Sequence, residues 1–308
     1  SVTISSDMLG SIPGIAGKKA EISIDQDDKN GLPDDVKAAI GERPLISLSL
    51  LIDGRQTNWS NPNSPVTVNI PYTPKEEELK NPDSIVIWYI DGSGNPQCVT
   101  NGHYDPVTGT VTFDVTHFSD YAVVYNPVNF NDVKANAWYY KAVSFIAARD
   151  ITNGTGNGNY SPEAKLTRAD FIVIMMKAYG IAPDTNPADN FTDAGNTYYT
   201  NYLAAAKRLN ISAGVGNNMF APGKEITRQE MFTILYNALK VIGELPQGDS
   251  GKTLSDFSDS NSIADWAKEA VTQLVKTGTI SGSAGKLLPQ SVATRAEIAQ
   301  VMYQLMKK

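Results

Sequence analysis

The chain has 308 residues, 41% of them hydrophobic and 19% charged, an ordinary globular balance with room for two separately cored domains. A net charge of −7 excludes the basic face that non-specific nucleic-acid binding needs, while leaving room for a local cationic site facing an anionic ligand. One cysteine, Cys98, excludes an internal disulfide, and the two histidines, His103 and His117, cannot assemble the usual zinc sites, so neither metal nor cofactor is expected.

Residues 1–126 read as β structure. Short β-rich runs lie at Val2-Thr3-Ile4, 20–24, 45–51, 66–70, 84–90, 111–115 and 121–124, separated by turn signals such as Asp91-Gly92, Asn101-Gly102 and Thr108-Gly109. Pro33 and Asp34-Asp35 open one short helix ending near Ile40. Strands at this spacing predict an all-β, sandwich-like domain. The acidic stretch Asp25 to Gly31 is no calcium loop, because Lys29 takes a ligand position and no glutamate follows at the required offset.

From residue 127 the texture is helical and repeats itself three times, over 127–187, 188–253 and 254–308. Each copy opens on an aromatic-x-aspartate: Phe130-Asn131-Asp132, Phe191-Thr192-Asp193 and Phe257-Ser258-Asp259. A first helix and a glycine-containing loop follow, and then a Thr-Arg pair opens a second helix, at Thr167-Arg168, Thr227-Arg228 and Thr294-Arg295. The aspartate-to-arginine spacings are 36, 35 and 36 residues. In the second helices Phe171, Ile174, Met175 and Ala178 form one apolar stripe, repeated at Met231, Ile234, Leu235 and Ala238 and at Ile298, Val301, Met302 and Leu305. No single stripe can bury itself. Three together predict a three-helix core about a pseudo-threefold axis, with the loops splayed outward as prongs.

Threonine at the N-cap with Asp170, Glu230 or Glu297 three positions on is a capping box, and the shorter Asp170 predicts an imperfect first one. The arginine has no such explanation, since the first helical position is the positive end of the helix dipole. It calls for an anion. One candidate is internal, the repeat aspartates Asp132, Asp193 and Asp259; the other is an external carboxylate or phosphate held by the guanidinium and the helix N–H groups. Trp138, Tyr198 and Trp266 align at the start of the first helices, either as sugar-stacking faces or as core plugs. Gly154, Gly214 and Gly282 lie 14, 14 and 13 residues before their arginines, as sites of close backbone approach or as ordinary turns. Tyr160-Ser161-Pro162 and Phe220-Ala221-Pro222 are matched with Leu288-Pro289-Gln290 in the third copy.

These motifs resemble the S-layer homology (SLH) module, of which three commonly occur in tandem. That resemblance implies a monomer with an internal pseudo-trimer, secreted and held non-covalently at the cell wall or S-layer surface, without membrane insertion or bound nucleic acid. The implied partner is an anionic cell-wall polysaccharide, commonly one bearing a pyruvate-ketal sugar, bound in grooves between repeats. Arg168, Arg228 and Arg295 would be the anion contacts, with Asp132, Asp193 and Asp259 lining the grooves. The β region resembles modules that precede such repeats in surface proteins. Within it, His117-Phe118-Ser119 is similar to the cleavage motif of self-cutting β domains, where Ser119 would attack the Phe118 carbonyl with His117 as base. An autoproteolytic or protein-interaction β module tethered by the helices is therefore the alternative expectation, and assembly through the repeats a third.

Overall fold

A computed structural model describes residues 1–307. The chain divides into two compact units, residues 1–129 with 147–150, and residues 130–146 with 151–308.

The first unit is built from two antiparallel sheets. Strands β1 (Val2–Thr3), β5 (Val66–Pro71), β9 (Thr110–Val115) and β8 (His103–Asp105) lie in that order in one. The other runs β2 (Ala20–Gln26), β3 (Leu45–Ile52), β10 (Asp120–Tyr125), β6 (Ile85–Ile90), β7 (Pro96–Val99), with β4 (Arg55–Thr57) also paired to β3. Alternation along β3 and β5 sends Leu48, Leu50, Val66 and Val68 into a shared core with Ile85, Ile87, Phe113 and Tyr121. Helix α1 (Asp34–Ile40) packs Val36 and Ile40 against Val86, Ala122 and Val124 on the opposite face of the second sheet.

One buried charge cluster stands out in this unit. Glu78, on the short helix α2 (Glu76–Leu79), is fully buried and accepts from Arg43 Nε at 2.7 Å, the Tyr72 hydroxyl at 2.6 Å and the Lys75 N–H at 2.8 Å. Burial alone would push this carboxyl up, but the Tyr72, Lys75 and Arg43 donors together hold it below the ordinary carboxylate range. A depressed native pKa stabilises the fold above the unfolded value of about 4.3, and that contribution is lost as pH falls through the native pKa. Urea midpoints measured across the acid range should therefore fall below about pH 4, and the Glu78→Gln variant should show a flatter dependence there.

The second unit is helical. Each repeat contributes a first helix, α3 (Tyr140–Ala148), α5 (Thr200–Arg208) or α7 (Asp265–Lys276), and a second, α4 (Arg168–Ala178), α6 (Arg228–Ile242) or α8 (Arg295–Met306). The three apolar stripes of α4, α6 and α8 meet in one continuous core, where Phe171, Met175, Met231, Leu235, Ile298 and Met302 are all buried. Just before these helices the chain forms a closed ring of short antiparallel bridges, Thr167 with Glu225, Thr227 with Val292 and Lys165 with Thr294. Each repeat thus touches both others, as a pseudo-threefold arrangement requires.

Candidate functional site: the inter-repeat clasp and the exposed aromatic positions

The N-termini of the second helices are closed by backbone from the next repeat. Arg168, Arg228 and Arg295 donate their N–H groups to the carbonyls of Lys224, Ser291 and Ala164 at 2.8, 2.8 and 3.0 Å. The next N–H groups, of Ala169, Gln229 and Ala296, go to the carbonyls of Pro222, Pro289 and Pro162. At the third position Asp170, Glu230 and Glu297 donate to the threonine hydroxyls of Thr167, Thr227 and Thr294. The reciprocal half of the capping box forms at Glu230 and Glu297 and not at Asp170, whose side chain is one methylene shorter. None of these first three N–H groups is left open to an external anion.

The arginine side chains reach across as well. Nε of Arg168, Arg228 and Arg295 donates to the carbonyl of Phe220, Leu287 and Tyr160 at 2.8, 2.9 and 2.8 Å. The N–H of each of those same three residues is held by the aspartate of its own repeat: Phe220 by Asp193, Leu287 by Asp259, Tyr160 by Asp132. The second oxygen of each aspartate accepts the following N–H, from Ala221, Leu288 and Ser161. The two motifs therefore converge on one loop residue, gripped by its own repeat at nitrogen and by the preceding repeat at oxygen. Asp132, Asp193 and Asp259 are loop clamps, and the internal pairing of arginine with these aspartates is not what the structure contains. The guanidinium of Arg168 also lies 4.7 Å from the Phe220 ring centroid, and that of Arg295 4.7 Å from the Tyr160 ring.

Two of the three guanidinium groups find a carboxylate inside the molecule. Arg168 pairs with Glu230 at 3.0 Å and Arg228 with Glu297 at 3.1 Å, in each case the capping-box glutamate of the next repeat. Burial lowers the pKa of Arg168, opposed by Glu230 and Asp193, so that its charge is sustained by neighbours and not by water. The third position differs. Arg295 is 8% exposed and bonds Tyr160 and Thr152, but no carboxylate lies within ion-pairing distance among the described residues. Its counterpart, Asp170, is turned to the hydroxyls of Thr167 and Tyr198.

Gly154, Gly214 and Gly282 explain themselves sterically. All three have positive φ, between +67° and +78°, and an added Cβ would stand 2.2–2.5 Å from the carbonyl oxygens of Asn159, Met219 and Lys286. It would also meet the phenylalanine of the same repeat's opening motif, at 2.7–2.8 Å. The loop residue match in the third copy is corrected by one place, to Leu287-Leu288-Pro289. Leu288 shares the positive φ of Ser161 and Ala221, and Pro289 takes the role of Pro162 and Pro222.

The three aligned aromatics are not core plugs. Trp138, Tyr198 and Trp266 are 61%, 64% and 57% exposed. Each stands at the entry to a first helix, and Tyr198 reaches the Asp170 side chain of the preceding repeat.

His117, Phe118 and Ser119 are not assembled for cleavage. The Ser119 hydroxyl donates to the Ile90 carbonyl at 3.4 Å, while the His117 ring faces Tyr89 and lies 3.3 Å from the Tyr121 hydroxyl. Phe118 packs on Trp59. No hydrogen bond joins the imidazole to the Ser119 hydroxyl among the described residues, and burial lowers the His117 pKa. No group of three or more potential metal ligands occurs among the described residues either, and no helix there is long and apolar enough to cross a membrane.

A helical unit of three interlocked repeats, each built from an aromatic-x-aspartate clamp and a Thr-Arg clasp, defines the class of module. The match to known families identifies it: the chain carries three S-layer homology domains, at residues 129–172, 190–232 and 256–299. It is 32% identical to an amylopullulanase of Thermoanaerobacterium thermosulfurigenes over 244 residues, 79% of this chain and 13% of that protein. It is 35% identical to the exoglucanase XynX of Acetivibrio thermocellus over 227 residues, 73% of this chain and 20% of that one. The S-layer protein sap of Bacillus anthracis matches at 27% over 206 residues, 65% of this chain and 24% of the relative. The chain thus spans a quarter or less of the length of each of these relatives. The first match is longer than everything from residue 129 onward, so it includes part of the β unit. SLH domains and S-layer relatives indicate a cell-surface, cell-wall-associated protein in which these repeats have an anchoring, non-enzymatic role; two relatives show that such domains also occur in enzymes.

Proposed function

We propose that the helical unit anchors its protein to the bacterial cell wall by binding an anionic wall polysaccharide, such as one carrying pyruvate-ketal sugars, along the surface between repeats. The observation that carries this reading is the aromatic position. Single exposed aromatics are unremarkable on a protein surface, but a tryptophan or tyrosine more than half exposed at the same place in all three repeats is not. A flat ring beside polar groups suits the apolar face of a sugar. In this reading Trp138, Tyr198 and Trp266 are the stacking faces and Arg295 supplies positive charge. Arg168, Arg228, the three aspartates and the three glycines act by shaping the surface the polymer meets. Several such contacts on one polymer gain by avidity, about two orders of magnitude or more over one site.

The test is co-sedimentation of the full chain with purified Gram-positive cell walls. Replacing Trp138, Tyr198 and Trp266 together by alanine should lower retention at least tenfold, at about 1–3 kcal/mol per lost stacking contact if sugars stack as bases do. Because all three side chains are exposed, the melting temperature should be unchanged. Equal retention of the triple variant and the parent would overturn the reading.

A further inference from the structure

The three inter-repeat junctions are built to one plan but pair their charges differently, and the acid at the third position of each second helix decides how. Where that acid is glutamate, at 230 and 297, its carboxylate reaches the arginine of the preceding repeat and satisfies it. Where it is Asp170, the carboxylate falls short and is engaged by the hydroxyls of Thr167 and Tyr198. Tyrosine at 198, in place of the tryptophans at 138 and 266, supplies the hydroxyl that holds Asp170. The two departures from the repeat pattern therefore fall in the same place and bond each other. Burial and Asp170 push the Tyr198 phenol up, and the charge of Arg295 opposes them.

We propose that residue 170 is a specificity determinant, and that the groove formed by Arg295, Asp170 and Tyr198 is the one that takes a carboxylate-bearing ligand. Glu230 and Glu297 act in the other two as built-in substitutes for that carboxylate. Arg295 is more than nine-tenths buried and forms no ion pair among the described residues, its equivalent acid Asp170 being held by two hydroxyls, which is costly for a guanidinium unless a ligand supplies the partner. Arg168 and Arg228 would have to give up an existing pair before accepting an external anion. The inference rests on the wall-anchoring reading for its biological ligand, but its chemistry is testable alone.

The probe is methyl 4,6-O-(1-carboxyethylidene)-glucopyranoside, with methyl glucopyranoside as its uncharged counterpart, titrated calorimetrically into the full chain. The parent should bind one equivalent of the charged probe and prefer it over the neutral sugar. Asp170→Glu, which restores the missing methylene, should pair with Arg295 and weaken the charged probe at least tenfold, about 1.4 kcal/mol, while leaving the fold intact. The paired variant Glu230→Gln and Glu297→Gln should raise the stoichiometry above one. No binding of the charged probe, three equivalents on the parent, or an unaltered affinity in Asp170→Glu would each overturn the inference. Wall sedimentation of the same parent sample separates this failure from failure of the anchoring reading, since retention without probe selectivity removes the groove assignment alone.

Discussion

Replacing Arg168 by alanine should destabilise the helical unit by about 3 kcal/mol, the low end for breaking a buried ion pair by removing one partner. The side chain is 3% exposed and holds two neighbours at once, the Phe220 carbonyl through Nε and Glu230 through a terminal nitrogen. Its removal strands the buried Phe220 carbonyl, leaves Glu230 with only the longer pair to the exposed Lys224, and takes the stacked guanidinium off the Phe220 ring. Lysine should not rescue the loss, because an ammonium cannot present the two-directional fork that serves a carbonyl and a carboxylate together. Denaturant unfolding of the full chain measures this, with the helical transition moving to lower denaturant and the β unit's transition staying in place. A shift smaller than about 1 kcal/mol, the range of an exposed pair, would mean that the clasp is not what closes the ring of repeats.

Gly214→Ala should be comparably damaging for a different reason. At φ +78° an L-residue with a Cβ is strained by roughly 1–2 kcal/mol. Here that Cβ would also sit 2.2 Å from the Met219 carbonyl oxygen and 2.8 Å from Phe191, neither of which is free to withdraw. The phenylalanine is buried in the core and Met219 lies one residue before the clamped Phe220. Overpacking of this kind adds about 1–3 kcal/mol. A matched control is Gly243→Ala at the end of helix α6, which has nearly the same φ, +76°, but meets nothing within 4 Å. The difference between the two variants in thermal unfolding isolates the steric contribution; equal losses would assign the whole effect to backbone conformation.

Much of the architecture could be read from sequence because the helical half states its rules three times. The apolar stripes at helical spacing gave the central three-helix core, and the long β-branched runs gave the central strands of both sheets. The short elements escaped. Strands Arg55–Thr57, Pro96–Val99 and His103–Asp105 are three or four residues long, too brief for an alternation to register, although the turns at Asp91-Gly92, Asn101-Gly102 and Thr108-Gly109 mark the gaps between their neighbours. Helix Glu76–Leu79 is a single turn, too short for an apolar period, and carries the buried Glu78, whose carboxylate accepts the Lys75 N–H at its start.

The candidate site was legible in its residues and not in its connections. An aspartate and an arginine 36 positions apart invite pairing within a repeat, yet the arginine serves the next repeat, because the ring of repeats brings neighbouring copies closer than a repeat's own two ends. A one-residue shortening of the third loop hid the equivalence of Leu287 with Tyr160 and Phe220. The signal that would have exposed it was the proline, six residues before the arginine in every copy, at 162, 222 and 289. Asp170, visible from the start as a weak cap, proved to matter less for the helix end than for the charge state of Arg295. Tyr198 in place of tryptophan gained its meaning only beside it.

The most direct trial of wall anchoring compares the full chain on intact cell walls with the same walls after acid removal of their secondary polysaccharide. Saturable binding to the first and near-complete loss on the second are the expected results. Undiminished binding to the stripped walls would contradict wall anchoring through that polysaccharide.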